Sequence, residues 1–391
     1  MALTRRAFVT TLGLGGAVAG GYYLSGGRLI GPWSRPDADA AVTSGARLLL
    51  HNNENPLGPG DRAMEAIHAA MSDPDLPLAR YSFATGAVTT GIAEKFGCER
   101  GNILLGCGST QILRTATEAF TSPERALVIG SPSYEECPGM AAVVNAPIKA
   151  LPLTGSKHLD LDAMADAATG SGLVFLCNPN NPTATVHSAQ AVQGFVDRVL
   201  SASPETVIVI DEAYHEYVTD PAYESQVPLA LETPQVVVAR TFSKAFGMAG
   251  LRLGYALGHE DTIDRMSAVH FGMARNALAL AAAAATLQDP ARLDAEALRN
   301  TEARKFTMDW FASHGYEMTD SQCNFIFVRI NRTAAEFRDA CATHGVLVGR
   351  DFPPYENEWT RISIGTMEEM QRAVEVFGDV LEVPAAITSA A

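Results

Sequence analysis

Residues 236–254 read VVVARTFSKAFGMAGLRLG. Four apolar residues, Val236 to Ala239, give way to a turn that holds one lysine, Lys244, between Ser243 and Ala245, with Arg240 before it and Arg252 eight positions after it. A run this short and this continuously apolar, stopped by polar residues and glycine, has the pattern of a strand covered on both faces. The same pattern recurs upstream at 102–105, 126–129, 172–176 and 206–210, each bounded by Gly, Pro, Asn or Asp. Helix-like stretches at 110–120 and 189–201 lie between these runs. The alternation predicts an α/β fold, a mostly parallel central sheet flanked by helices, with 235–239 as its fifth strand.

The chain has 391 residues, 47% of them apolar and 19% charged, which is globular composition. Its formal net charge of −15 argues against non-specific binding to nucleic acid or an anionic membrane. The six cysteines, Cys98, Cys107, Cys137, Cys177, Cys323 and Cys341, form no CxxC pair, so they are read as free thiols.

Downstream, an alanine-rich helix at 277–288 is stopped by Asp289-Pro290. A second α/β unit follows, with helices at 295–314 and 334–344 and strands at 324–330 and 360–364. We therefore expect a large domain over 61–290, a smaller C-terminal domain over 291–383, and a segment, 45–60, packing on the smaller one.

Ligands of doubly wound sheets sit beyond the carboxyl ends of the strands, so the residues that follow each strand carry the chemistry. After 102–105 comes GCGSTQIL, where Gly108, Ser109 and Thr110 open a helix whose free amides and positive end suit a phosphate. After 126–129 comes SPSY, ending in Tyr134, and after 172–176 comes CNPNNPT, with Asn181. After 206–210 comes DEAYHEY, with Asp211 at the end of an apolar strand, where a carboxylate needs a cationic partner. The fifth strand ends in Lys244. A phosphate seat, an aromatic ring, an amide, a carboxylate and a lysine are together what pyridoxal 5'-phosphate catalysis requires.

In order, NENPLGPG, GCGST, SPSY, NPNNPT, DEAYHEY, TFSKAFGMAGLRLG and RISIGT resemble the fold-type I aminotransferases, and in particular their histidinol-phosphate aminotransferase branch, over about residues 48–380. The resemblance implies that Lys244 forms the Schiff base and shuttles the proton, and that Asp211 pairs with the pyridine nitrogen. It implies that Asn181 and Tyr214 bond the phenolic oxygen and that Tyr134 stacks on the ring. Gly108, Ser109, Thr110, Thr241, Ser243 and Arg252 would hold the phosphate. Tyr81 would reach the phosphate from a neighbouring subunit, which implies a homodimer with shared sites. Arg361 would take the substrate's acidic group, carboxylate in most relatives and phosphate in histidinol-phosphate enzymes. Arg350, in VLVGRDFPPY, either binds a distal anion or caps a strand. The expected activity is transamination between an amino acid, or a histidinol-phosphate-like amine, and a 2-oxo acid; the alternative is a racemase or lyase on the same cofactor.

Residues 3–21, LTRRAFVTTLGLGGAVAGG, resemble a twin-arginine export signal. Segment 1–40 carries four Arg and two Asp, leaving 25 basic and 42 acidic side chains beyond it, net −17. Ala17-Val18-Ala19 and Ala38-Asp39-Ala40 are both candidate cleavage sites, and uncleaved anchoring is the other outcome. The expectation is a periplasmic enzyme that folds around its cofactor before export; the alternative is a cytoplasmic one.

Overall fold

The computed structural model describes residues 47–73, 81–272 and 275–382, and assigns two short antiparallel strands, Tyr23–Ser25 and Arg28–Ile30, ahead of them. The paired arginines and both candidate cleavage sites lie outside the described residues.

Eleven strands matter for the site. They are β1 (Leu48–Leu50), β2 (Ile103–Gly106), β3 (Leu127–Ser131), β4 (Ile148–Pro152), β5 (Leu173–Cys177), β6 (Val207–Asp211), β7 (Val236–Thr241), β8 (Gly254–Gly258), β9 (Phe325–Arg329), β10 (Val346–Val348) and β11 (Trp359–Ser363). Seven of them form one sheet in the order β2-β8-β7-β6-β5-β3-β4. All run parallel except β8, which is antiparallel to both its neighbours. Strands β5, β6 and β7 are buried along their whole length, as expected for a sheet covered on both faces.

Two core clusters lie on the two faces of this sheet. Alternate residues of β6 divide between them, Ile208 and Ile210 to one and Val207 and Val209 to the other. Helix α1 (Asp61–Ser72) packs on α2 (Ala277–Leu287) against the first. A further cluster holds Leu48 and Leu50 of β1 with Val346 and Val348 of β10, Ile326 and Val328 of β9 and Ile362 of β11. There β1 pairs in parallel with β10, and β9 pairs antiparallel with β11.

The sequence reading placed seven of these eleven strands to within two residues, five in the large sheet and two in the C-terminal part, but missed the other four. Strand β4 is an edge strand with four of its five residues exposed, so it lacks an apolar run. Strand β8 begins and ends in glycine and reads as part of the lysine turn. Strands β1 and β10 have three residues each, and only their pairing over almost 300 positions makes them strands. At Asp289 one helix ends and the next begins: its carboxylate accepts the Arg292 N–H, and Pro290 opens a helix running to Ser313. Of the cysteines, Cys137, Cys177, Cys323 and Cys341 are buried and Cys107 is exposed; all six are free thiols.

Candidate active site

The register of three central strands assembles the site. Asp211, the last residue of β6, lies beside Cys177 on one side and Ala239 on the other. The turns that follow these neighbours carry Asn181 and Lys244. On the far side of β7, Gly254 of β8 lies across from both Thr241 and Gly106. The turn after β2 is thereby brought alongside the lysine turn.

That turn is built for close approach. Gly108 has φ +72°, and a Cβ added there would stand 2.5 Å from Arg252 Nη2. A Cβ on Gly254 would stand 2.3 Å from the Ser109 nitrogen. The Arg252 guanidinium therefore lies over the first residue of the helix Gly108–Phe120, and donates to Ser243 Oγ at 3.3 Å. Ser243 N–H donates to Thr241 Oγ1 at 3.1 Å. Arg252 itself takes a left-handed backbone, φ 60°, a conformation that costs a non-glycine residue on the order of 1 kcal/mol or more and that the surrounding contacts must hold. A cation, two hydroxyls and a helix N-terminus converge, as an anion seat requires.

Lys244 and Asp211 have unusual protonation. Burial lowers the Lys244 ammonium to about 8, with the positive charge of Arg361 adding to the effect. Its Nζ donates to the Asn52 carbonyl at 3.1 Å and stands 5.6 Å from the Tyr214 ring centre. Burial raises the Asp211 carboxyl to about 7 against the opposing Ala213 N–H bond, which is 3.2 Å long. Tyr134 is raised to about 12, mainly by burial, and its hydroxyl meets Thr110 Oγ1 at 3.4 Å.

Arg361 lies on β11 and is buried, which holds it below the usual guanidinium range, at about 10. It donates to Asn181 Oδ1 at 2.7 Å and to the His51 carbonyl at 2.6 Å, while its Nε has no partner. Its guanidinium lies 5.6 Å from the Phe325 ring centre and 4.9 Å from that of Phe352. Arg350 is ion-paired with Glu135 and donates to the Asp351 carbonyl, rather than capping a strand end by itself. Tyr81 stands apart from this group, 79% exposed, with its ring beside Phe83.

Residues 51–53 are a part of the site that sequence reasoning missed. His51, Asn52 and Asn53 in succession engage Arg361, Lys244 and Tyr214. Asn53 is buried with φ 55°; its Nδ2 donates to Tyr214 Oη at 3.2 Å, and its Oδ1 accepts from Ser363 Oγ at 2.8 Å. Asn324 Nδ2 in turn donates to the Asn53 carbonyl. The signal was present, since Asn53 opens the quoted NENPLGPG, but its partners lie 161 and 310 positions away.

The residues present fit pyridoxal phosphate. An enclosed carboxylate with little internal compensation matches a protonated ring nitrogen, the Gly108 turn has room only for hydrogen beside a cation, and a desolvated lysine with a lowered pKa stands between them. The comparisons agree with this chemistry. Residues 47–377 match the model of the family described as aminotransferase class I and II, and the chain belongs to that family. It is a pyridoxal-phosphate-dependent aminotransferase of fold type I. It is 33% identical to an aromatic amino acid aminotransferase of Streptomyces avermitilis, covering 86% of this chain and 91% of the relative. It is 34% identical to histidinol-phosphate aminotransferase 1 of Nitrosococcus oceani, covering 85% and 88%. The crystal structure of histidinol-phosphate aminotransferase from Sinorhizobium meliloti in complex with pyridoxal-5'-phosphate superposes with a TM-score of 0.78 at 26% identity, covering 86% of this chain and 91% of that one.

Proposed function

We propose that this enzyme transaminates free α-amino acids with 2-oxo acids, and that Arg361 receives the α-carboxylate. The observation that carries this reading is Arg361 itself: a buried cation, fixed by Asn181 and His51 on one edge, with Nε unpartnered and aromatic rings against it. A buried guanidinium with open donors is a seat for a planar carboxylate, which it binds in two-point fashion.

Bound pyridoxal phosphate supplies the carbonyl that accepts the amino group and a ring that withdraws electrons. The protein's own residues do the rest. Gly108 to Thr110, Thr241, Ser243 and Arg252 would hold the phosphate. Asp211 would face the ring nitrogen and keep its proton in place. Asn181 and Tyr214 would orient the phenolic oxygen, and Tyr134 would cover the ring. Lys244 Nζ, neutral at modest cost because burial already lowers its pKa, would take the proton from the substrate's α-carbon and hold it for return.

Two further readings belong to the same proposal. The enzyme is a homodimer in which Tyr81 reaches the partner's phosphate seat. The exposed pair Tyr81 and Phe83, ring centres 6.4 Å apart, supports it by offering two adjacent aromatic rings on the surface. The enzyme is also exported through its twin-arginine segment and works in the periplasm.

A panel of amino acids, with histidinol phosphate included, offered to purified holoenzyme tests the main reading by the change in its visible spectrum and by release of a 2-oxo acid. Conversion of histidinol phosphate alone, or loss of an amino acid's optical activity with no 2-oxo acid formed, would sink it. Sedimentation analysis and N-terminal sequencing of a periplasmic fraction address the dimer and the export signal.

A further inference from the structure

A transaminase with one site must accept two substrates in turn, and their side chains need not match in charge. Glu135 and Arg350 stand where that difference would be felt. Glu135 follows Tyr134, at the cap of the helix Glu136–Val143 on the seven-stranded sheet's side, and Arg350 follows β10 on the side of the smaller strand pairs. The two side chains form an ion pair that joins positions 215 apart.

The Arg350 guanidinium lies 4.4 Å from the Phe352 ring centre, and that of Arg361 lies 4.9 Å from the same ring. One buried aromatic ring thus carries two cations. Arg350 lowers the pKa of Arg361 and Glu135 raises it, so all three charges act on one another. Arg361 is enclosed, whereas the Arg350 and Glu135 side chains are 43% and 34% exposed. A pair as open to water as this contributes only about 0–1 kcal/mol, so another anion can replace its acidic member. Arg350 would keep its place after such a replacement, because Phe352 and the Asp351 carbonyl hold it independently of Glu135. The adjoining Glu136 cannot substitute for Glu135, since it is buried and paired with Arg114.

We propose that Glu135 is a specificity-determining residue, a displaceable counter-ion that neutralises Arg350 when the substrate side chain is neutral and yields it to a side-chain carboxylate. The proposal rests on Arg361 taking the α-carboxylate and names the acidic partner class, dicarboxylic amino acids and their 2-oxo acids.

The test compares glutamate with glutamine, which differ in charge and hardly in shape, as donors to holoenzyme. The reading is the ratio of their kcat/KM values. Glu135→Gln removes the competitor and should raise the glutamate-to-glutamine ratio several-fold. Arg350→Gln removes the cation and should lower the ratio at least tenfold. Opposite movements of the ratio support the proposal, because a pair that only clasps the two parts of the protein together would change both substrates alike. An unchanged ratio in both variants overturns the proposal while leaving transamination standing. If wild-type holoenzyme converts no amino acid at all, the transamination reading and this proposal fall together.

Discussion

Asn53 donates its side-chain amide to the Tyr214 hydroxyl at 3.2 Å, and its carboxamide oxygen accepts from Ser363 at 2.8 Å. One buried side chain thus fixes a residue of the turn after β6 to the end of β11. Replacing it takes the donor from the Tyr214 hydroxyl and the acceptor from the Ser363 hydroxyl, which keeps only the Asn53 backbone N–H at 2.8 Å. Asn53→Ala is expected to destabilise the protein by about 1–3 kcal/mol, and to do so at a backbone of positive φ that alanine tolerates poorly. Urea unfolding measures the stability. A pH titration of the visible absorbance, set beside that of Tyr214→Phe, separates lost positioning from lost stability: the two variants should shift the titration in the same direction.

The Gly108 turn predicts a sharp contrast between glycines. Gly108→Ala places a methyl 2.5 Å from Arg252 Nη2 at φ +72° and should weaken pyridoxal phosphate binding at least tenfold, read by fluorescence titration of cofactor-stripped protein. Gly139→Ala, inside the helix Glu136–Val143 with nothing within 4 Å, should bind normally and gain on the order of 0.5 kcal/mol in stability. Equal behaviour of the two variants would refute this account of the phosphate seat.

Asp211 makes the stability of the cofactor-stripped protein depend on pH. Its folded pKa, about 7, is raised above the ordinary 3.8, so between those values the folded state holds a proton that the unfolded state has lost. Stability contributed by this group is complete below the unfolded value and falls as pH rises through 7. Asp211→Asn should remove that slope and, near pH 8, raise Tm by on the order of 5 °C. Turnover should still fall at least a hundredfold, the scale expected when a group that sets the protonation of the reacting system is removed. Calorimetry from pH 5 to 8 on both proteins is the check.

Lys244→Ala should lower kcat by roughly 10²–10⁴ or more, the contribution expected of a positioned proton carrier, while the stripped protein still binds pyridoxal phosphate through the Gly108 turn. Rescue of part of the rate by added methylamine would assign the loss to the missing amine; no rescue combined with lost binding would point to a structural role.

Arg240 lies in β7, just before the same loop, yet has a different task. Its Nε is 2.9 Å from Glu212 Oε2, an ion-pair contact without hydrogen-bond alignment, and its Nη1 is 3.0 Å from Glu216 Oε1, all three side chains being buried. Arg240→Met strands two buried carboxylates and should cost about 3–5 kcal/mol of stability. Chemical denaturation tests this, and the change should exceed that of any single exposed pair, such as Lys305–Asp309.

The parts of this enzyme legible in its sequence are those whose meaning is local. Strands β5, β6 and β7 announce themselves as apolar runs, and Asp211 and Lys244 follow directly on such runs, so strand ends could be searched for chemistry. Asn53, His51 and Glu135 gave no comparable sign. Each is an ordinary polar residue whose role comes from a partner between 161 and 310 positions away. Strand β4 was hidden by its exposed edge, and β8 by the glycines that let its neighbours approach. In each case the missing information is a tertiary pairing, which no window along the chain contains.

The reversed strand β8 has one more consequence. Because it is inserted between β2 and β7, the turn that offers amides to a phosphate and the turn that offers an amine are separated by two ladder steps, about 10 Å. Side-chain substitutions can retune the charge at either end of that interval but cannot lengthen or shorten it. The sheet acts as a fixed gauge for the two strand ends, and the contact of Arg252 with the Gly108 turn closes the interval between them.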